Sequence, residues 1–120
     1  MLIALWIINS LLALGFLLFG FMKLARPSAV LAGNGMAWVE DFSGPSVKLI
    51  GALEVVGAVG LIAPLVTGIA PILAPLAATG LAVVMIGAAV VHIRRKESPI
   101  PAIPLAVLCV VSATLGFIVL

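Results

Sequence analysis

The sequence predicts an all-α fold: a four-transmembrane-helix bundle whose helices run up, down, up and down through a bilayer. Hydrophobic residues make up 65% of the 120 positions, charged residues only 8%, and the apolar residues gather into four long runs. Soluble domains carry roughly 25% charged residues, and a soluble fold of this size would still expose much of its surface to water. We therefore expect a single domain, residues 1–120, surrounded by lipid.

The four apolar runs predict helices at about residues 2–22, 47–66, 70–91 and 103–120. Each run is close to the ~20 residues that span ~30 Å of hydrocarbon at 1.5 Å per residue. Backbone groups in lipid must bond within their own segment, so these runs are helices rather than strands. Pro45 and Pro71 are expected in the first turns of the second and third helices, where a missing N–H costs little.

Basic residues predict the orientation of the bundle. Four helices place loops 23–46 and 92–101 on one face, with the turn 67–69 and both termini on the other. All six basic residues lie in or beside these two loops: Lys23, Arg26, Lys48, Arg94, Arg95 and Lys96. Six basic residues on the loop face and none on the opposite face favour cytoplasmic loops and outside termini in a cell (inner or plasma) membrane. The net charge of +2 therefore reflects topology, and nucleic acid is not expected as a partner.

The first loop has aromatic side chains of its own. Residues 33–35, Gly-Asn-Gly, predict a turn. Trp38 and Phe42 follow four residues apart, a spacing that fits the apolar face of a short interfacial helix with Glu40 and Asp41 toward water. Two interpretations remain open: an aromatic anchor among lipid headgroups, or a lid over a cavity between the helices.

Each predicted helix has one face of mostly small or weakly polar residues, spaced three or four apart. Membrane helices pack closely through such faces, so we expect them to point inward. They are Asn9, Ala13, Phe16, Gly20 and Lys23 in the first helix; Gly51, Glu54 and Gly57 or Ala58 in the second; Leu81, Met85, Ala88 and His92 in the third; and Cys109, Ser112 and Gly116 in the fourth. Cys109 is interpreted as a small packing residue.

Glu54 is the only acid in any of the four apolar runs. A carboxyl group in hydrocarbon costs several kcal/mol unless it is paired, hydrogen-bonded or protonated. It lies seven residues beyond Val47, about 10 Å below the loop face at 1.5 Å per residue. Lys23 and His92 border the same face. Any pocket in the bundle should therefore have its polar end near Glu54 and open toward the two loops.

The candidate ligand-binding residues are thus Glu54, Lys23 and His92, each with two interpretations. Glu54 is either an acid satisfied by a neighbouring helix or a contact for a ligand, proton or substrate. Lys23 either anchors the helix end by reaching out to the interface or pairs with Glu54. His92 is either an interfacial residue or a ligand contact. One histidine and one nearby acid are too few for a metal site, so no metal is predicted.

Several kinds of chemistry are excluded by the absence of their motifs. The sequence has no hydrolase triad, P-loop, Rossmann glycine pattern, haem-binding cysteine pair or zinc spacing. Its single cysteine, Cys109, excludes an internal disulfide and a CxxC motif. No catalytic residue is predicted, and any reaction would need a cofactor, a lipid-soluble partner or a second protein. If the chain belongs to an enzyme, we expect a subunit of a membrane oxidoreductase.

Three motifs in order resemble the DoxX-like family. They are Gly20-Phe21-Met22-Lys23-Leu24, which resembles a GxxKL pattern; residues 51–61, which resemble GxxExxGAxGL; and Met85-Ile86-Gly87-Ala88 followed by His92, which resembles MxxA…H. The resemblance covers almost the whole chain and implies a four-helix membrane protein. It also implies a link to quinone-coupled sulfur oxidation (as in a thiosulfate:quinone oxidoreductase), to membrane redox assemblies or to assembly factors. The matching site positions are Lys23, Glu54 and His92.

The leading hypothesis is a small integral membrane protein that binds a quinone or another lipid-like ligand as a subunit of a membrane redox system. The cofactor itself is not identified by the sequence. One alternative is a non-catalytic assembly or chaperone partner for other membrane proteins, since small-residue faces can pack against foreign helices. Another is an oligomeric channel or transporter for small solutes. A membrane or redox partner protein and a homodimer are both compatible with these hypotheses.

Overall fold

The computed structural model describes residues 1–33 and 35–120, and it confirms the all-α four-helix fold. The long helices are α1 (Leu2–Ala25), α3 (Gly44–Thr67), α4 (Leu73–Arg94) and α5 (Ala102–Val119). A short helix α2 (Ser28–Gly33) and a 3₁₀ helix (Ala37–Asp41) fill the connection between α1 and α3. Within the described residues, four helices are long and apolar enough to cross a membrane.

Helix α3 begins three residues before the predicted start because its N-terminus is capped. The hydroxyl of Ser43 accepts a hydrogen bond of 3.2 Å from the backbone N–H of Ser46, which satisfies one of the free donors of the first turn. Pro45 lies in this first turn, as predicted, where its missing N–H costs little. The chain therefore becomes helical at Gly44, in the polar connection, before the apolar run starts.

The third long helix begins three residues after its predicted start at about residue 70, because the backbone there is not helical. Gly68 ends α3 in the left-handed conformation, with φ of 70°, and its N–H donates to Pro64 O at 3.0 Å. Ala70 also has a positive φ, 45°, which a right-handed helix excludes. Helix α4 consequently begins at Leu73, and Pro71 lies in the turn before it instead of in its first turn.

The loop side of the bundle differs from the prediction in two further ways. Helix α4 continues to Arg94, so His92 lies in its last turn instead of opening the loop. The predicted interfacial helix is present as the 3₁₀ helix, and the rings of Trp38 and Phe42 pack edge to face with centroids 5.6 Å apart. The predicted turn centred on Asn34 lies outside the described residues.

The four long helices form a ring in which α1 and α4 each pack against both α3 and α5. The predicted inward faces are buried in α1 and α5, whereas Ala88 and His92 at the loop end of α4 are only half-buried. In α3, Ala58 rather than Gly57 is the fully buried residue. Large apolar side chains such as Leu14, Val56 and Val83 point outward, as expected of a surface solvated by lipid.

In the half of the bundle away from the two loops, the helices pack closely against one another. A Cβ atom added at Gly60 would lie 2.9 Å from the Cβ of Ala77, and one added at Gly116 would lie 2.9 Å from the Cβ of Pro75. Such distances leave no room for a side chain, so glycine sets the helix separation here. The large buried side chains Leu12, Phe16 and Leu61 fill the space that remains.

Candidate functional site

Helices α1 and α3 approach most closely at Gly20 and Gly51, on the loop side of the bundle. A Cβ atom added at Gly20 would lie 2.8 Å from the carbonyl oxygen of Gly51, and one added at Gly51 would lie 2.8 Å from that of Gly20. Only glycine permits this reciprocal backbone contact. The contact brings the next inward residues of both helices, Lys23 and Glu54, within reach of each other.

Lys23 and Glu54 form a buried ion pair between α1 and α3. The Lys23 Nζ donates a hydrogen bond to Glu54 Oε1, and the residues are only 7% and 2% exposed. Of the two interpretations of Lys23, the structure shows the one in which it pairs with Glu54. The charge of each group is thereby compensated in surroundings where an isolated charge would cost several kcal/mol.

Lys23 reaches inward from the membrane surface, which is the reverse of the usual behaviour of lysine at a helix end. The backbone of Lys23 lies at the level of Lys48. Lys48 Nζ donates to the carbonyl oxygens of Lys23 at 2.7 Å, Leu24 at 2.9 Å and Arg26 at 2.7 Å. Glu54 lies six residues further along α3, about 9 Å deeper. The Lys23 side chain therefore extends from the surface into the bundle to meet Glu54.

The ion pair lies in the wall of a cavity of about 540 Å³ at the loop end of the bundle. Its lining comes from α1, α3 and α4, from the start of α5 and from the connection between α1 and α3. The described lining residues are Phe19, Lys23, Gly35, Met36, Trp38, Phe42, Ile50, Glu54, Val84, Met85, Gly87, Ala88, Val91, His92, Pro101, Ala102 and Leu105. Among these, the ionisable side chains are Lys23, Glu54 and His92, so the structure places the three predicted residues around one apolar space.

The loop end of the cavity is bounded by residues 36–42, which we call the roof segment. Val39, 1% exposed, packs between Leu31 of α2 and Val47 of α3 and so holds the segment on the bundle. The Trp38 ring lines the cavity, and its centroid lies 5.6 Å from Lys23 Nζ, within range of a cation–π contact. These contacts fit the interpretation as a lid better than that of a lipid anchor.

An ion-pair network joins the roof segment to the end of α4. Arg95 Nη1 lies 2.7 Å from Asp41 Oδ2 of the roof segment, and Arg95 Nε lies 3.4 Å from Glu97 Oε2. The hydrogen bond from Arg95 to Asp41 raises the pKa of Arg95 above its ordinary value, so the guanidinium stays charged throughout the neutral and alkaline range. The other oxygen of Glu97, Oε1, lies 3.1 Å from His92 Nδ1.

Two of these residues were not candidates from the sequence. Lys48 was considered only for its charge, although a cation opposite the last carbonyls of a helix is a recognised cap. Glu97 had no sequence signal, because its contact with His92 depends on how the chain turns back after α4. Both residues position the site from outside: Lys48 fixes the end of α1, and Glu97 fixes the ring of His92.

Lys23 and Glu54 have hydrogen-bonding capacity that their protein partners do not use. A lysine ammonium has three N–H donors and a carboxylate accepts through both oxygens, but the described residues occupy Glu54 only through Oε1. A ligand hydroxyl or carbonyl group can therefore bond to Lys23 or Glu54 without breaking the ion pair. Among the described residues, no group of three His, Cys, Asp or Glu side chains is arranged to hold a metal ion.

The opposite half of the bundle has a separate polar contact that needs no ligand. Asn9 Nδ2 donates to Leu61 O at 2.9 Å, and Asn9 Oδ1 accepts from the hydroxyl of Ser112. This contact joins α1, α3 and α5, and Asn9 and Ser112 are completely buried. Cys109, one turn from Ser112, is also buried in the core, as expected of a packing residue.

Comparison with known proteins identifies the family. The sequence model described as the DoxX-like family matches residues 7–114, nearly the whole chain. No curated protein and no solved structure matches the chain. The matched region includes all of α3 and α4, most of α1 and α5, the ion pair and His92, and the helices are those of a multi-pass membrane protein. The chain therefore belongs to the DoxX-like family.

Proposed function

We propose that this protein binds a hydrophobic small molecule with one polar end, a quinone or similar lipid, in the cavity at its loop end. The observation that carries the proposal is the composition of that cavity: an apolar space of about 540 Å³ with Lys23, Glu54 and His92 in its wall. Pockets for small molecules are typically 300–1,000 Å³, mostly apolar, with a few polar groups that fix orientation. In this proposal all three predicted residues contact the ligand.

The unusual course of Lys23 supports a ligand at this position. A lysine at a membrane surface is best solvated when it extends outward, whereas Lys23 is directed into the bundle. Replacing a buried ion pair by apolar side chains is often neutral or stabilising. Stability alone therefore does not explain a charged pair here, whereas a ligand carbonyl or hydroxyl group that needs a donor does.

A quinone matches the distribution of polar and apolar surface. Its carbonyl oxygen would accept from Lys23 Nζ, its ring would pack beside Trp38, and its tail would lie along the apolar side chains of α4 and α5. The resemblance to proteins of quinone-coupled membrane redox systems favours this ligand class. We accordingly propose that the chain is a subunit of such a system, with electrons supplied by a partner protein.

Tryptophan fluorescence tests the proposal, because one of the two tryptophans lines the cavity. In a Trp6→Phe variant reconstituted in lipid nanodiscs, Trp38 is the only tryptophan. Titration with decylubiquinone should quench its emission with a saturating curve, because a bound quinone ring lies beside it. In the reciprocal Trp38→Phe variant, Trp6 near the other end of α1 should report only non-saturating quenching by quinone dissolved in the lipid.

A cavity-filling pair of variants locates the binding. Ala88→Phe places a ring in the cavity and should abolish saturable quenching, whereas Val83→Phe on the lipid-facing side of the same helix should not. Quenching that never saturates, or that survives Ala88→Phe, would refute quinone binding at this site. Native mass spectrometry of gently purified protein would then show whether another lipid occupies the cavity.

We also propose that the loop end, with the cavity and the ion-pair network, faces the cytoplasm. The six basic residues support this orientation, since cytoplasmic loops carry an excess of Lys and Arg. In a Cys109→Ala background, single cysteines at Glu40 and Ile69 probe the two ends, since both positions are exposed. A membrane-impermeant maleimide added to intact cells should label residue 69 and not residue 40. The opposite pattern would reverse the orientation.

A further inference from the structure

The backbone after α4 forms a turn that returns Glu97 to His92. The N–H of Glu97 donates to His92 O at 2.8 Å and the N–H of Lys96 donates to Ile93 O at 3.0 Å. Lys96 between them has φ of 58°, in the left-handed region. This is the Schellman arrangement, in which glycine is the usual residue at the left-handed position. Lysine is uncommon at this position because its Cβ makes the left-handed conformation less favourable than it is for glycine.

The position of Glu97 decides which nitrogen of His92 carries a proton. Glu97 Oε1 lies 3.1 Å from His92 Nδ1, and an ionised carboxylate can only accept a hydrogen bond. The proton must then be on Nδ1. In the neutral imidazole the other nitrogen, Nε2, is left with its lone pair and accepts hydrogen bonds. Free histidine prefers the opposite tautomer, so the carboxylate reverses the intrinsic preference of the ring.

Two observations support this assignment. Arg95 Nε lies 3.4 Å from Glu97 Oε2, so this oxygen faces a cation and Oε1 is left to face the ring. His92 also lines the cavity, and Nε2 has no hydrogen-bond partner among the described residues. The second nitrogen is therefore available as a hydrogen-bond acceptor. The same pairing of a carboxylate with one ring nitrogen orients histidine in many metal and catalytic sites.

We propose that Glu97 is a positioning residue that fixes His92 as a hydrogen-bond acceptor, so that a hydroxyl group of the ligand, such as that of a reduced quinone, donates to Nε2. The tautomer depends only on the contact between Glu97 and His92, and the ligand part rests on the proposed function. The donor–acceptor set of the cavity then comprises Lys23 as donor and His92 Nε2 and Glu54 Oε2 as acceptors. This set favours a phenolic or other hydroxyl group over an ether of the same shape.

The tautomer is directly measurable because His92 is the only histidine. Protein labelled with ¹⁵N in the histidine ring, in lipid nanodiscs, gives one pair of ring nitrogen signals whose shifts and proton couplings report which nitrogen is protonated. At a pH where these shifts show a neutral ring, we expect the proton on Nδ1. Glu97→Ala should move the population toward the Nε2–H form.

Two matched variants distinguish the effect of the Glu97 carboxylate on the tautomer from the effect of its surroundings. Glu40→Ala removes an exposed acid from the roof segment and should leave the tautomer unchanged. Lys96→Gly keeps the turn with the residue it prefers, and it should also keep the proton on Nδ1. A proton on Nε2 in the unmodified protein, or a tautomer unaffected by Glu97→Ala, would overturn the assignment.

The ligand part is tested with two probes that differ only by a methyl group on the oxygen, 4-decylphenol and its methyl ether 4-decylanisole. The phenol donates a hydrogen bond and the ether cannot, so the protein should bind the phenol about three- to tenfold more tightly. Glu97→Ala should reduce this preference. Equal binding of the two probes would overturn the ligand part. If neither probe binds, the proposed ligand site is wrong, and the tautomer is still decided by the nitrogen signals.

Discussion

The two halves of the bundle are built from the same four helices but differ in packing: one half is filled by side chains, and the other contains the cavity. Away from the loops, Gly60 and Gly116 bring the helices into contact, and Phe16 and Leu61 fill the interior. At the loop end, the four helices and the roof segment surround the cavity of about 540 Å³. One half of the bundle is therefore filled by side chains, whereas the other half surrounds a space that the side chains leave open.

The buried polar contacts of the two halves differ in the same way. In the packed half, Asn9 and Ser112 are uncharged and satisfy each other and Leu61 O. In the hollow half, Lys23 and Glu54 are charged and keep unused hydrogen-bonding capacity beside the cavity. Since an amide and a hydroxyl are enough to fix helices in a membrane, the architecture alone does not require a charged pair.

The largest expected effect is the loss of Lys23. Lys23→Met leaves Glu54 buried without its counter-charge, which should cost roughly 3–5 kcal/mol of unfolding free energy. Glu54→Gln should cost less, because the Lys23 backbone lies at the membrane surface and its ammonium can turn outward to water. Equilibrium unfolding by sodium dodecyl sulfate in bicelles, followed by circular dichroism, measures both.

The double variant Lys23→Met with Glu54→Met distinguishes pairing from packing. Removing both charges should restore much of the stability lost in Lys23→Met, since apolar replacements of a buried pair are often tolerated. The same variant should lose saturable quenching of Trp38 by decylubiquinone. A double variant as unstable as Lys23→Met, or one that still binds quinone normally, would contradict this separation of stability from binding.

The second effect concerns the helix contact that brings the ion pair together. In Gly20→Ala the new Cβ would lie 2.8 Å from Gly51 O, so α1 and α3 must separate. Overpacking of this kind costs about 1–3 kcal/mol. Gly15→Ala is the matched control, since a Cβ there meets nothing within 4 Å. Unfolding in bicelles should show a loss for Gly20→Ala only; equal stabilities would mean that the contact is not tight.

Much of this architecture could be predicted from sequence because lipid imposes simple rules. Apolar runs long enough to span it gave the four helices, and a spacing of three or four residues gave their inward faces. The helix ends were less certain. Capping by Ser43 and the left-handed Ala70 moved two helix starts by three residues each, because such ends depend on local backbone geometry that hydrophobicity does not report.

The candidate site was predictable in part for the same reason. Glu54 stood out because an acid in hydrocarbon needs compensation, and Lys23 and His92 border the same face. The inward course of Lys23, the roof position of Trp38 and the contact of Glu97 with His92 depend on tertiary distances between separate segments. No periodicity in one segment encodes such distances, which is why these features came only from the structure.

The third effect tests the neutral contact of the packed half. Asn9→Leu removes the bonds to Leu61 O and from Ser112, and it should cost about 1 kcal/mol, as interhelical hydrogen bonds in membranes do. Quenching of Trp38 by decylubiquinone should be unchanged, because the contact lies outside the cavity lining. Ser10→Ala, an exposed neighbour, is the control and should change neither property. Weaker quinone binding in Asn9→Leu would show that the halves are coupled.

The smallest effect on stability, and the most local, is expected at the link between the roof segment and α4. Arg95→Gln removes the pairing with Asp41 and weakens the hold on Glu97, but ion pairs at the membrane surface contribute little to global stability. The change should instead free the roof segment, so that Trp38 in a Trp6→Phe background becomes more exposed to water and its emission shifts to longer wavelength. High salt should produce a smaller shift of the same sign in the unmodified protein, because screening weakens the exposed pair.

Arg94→Gln removes the same charge one residue away from the contact with Asp41 and should leave the emission unchanged. If both variants shift the emission equally, the roof is sensitive to the charge of this face and not to the Arg95–Asp41 bond.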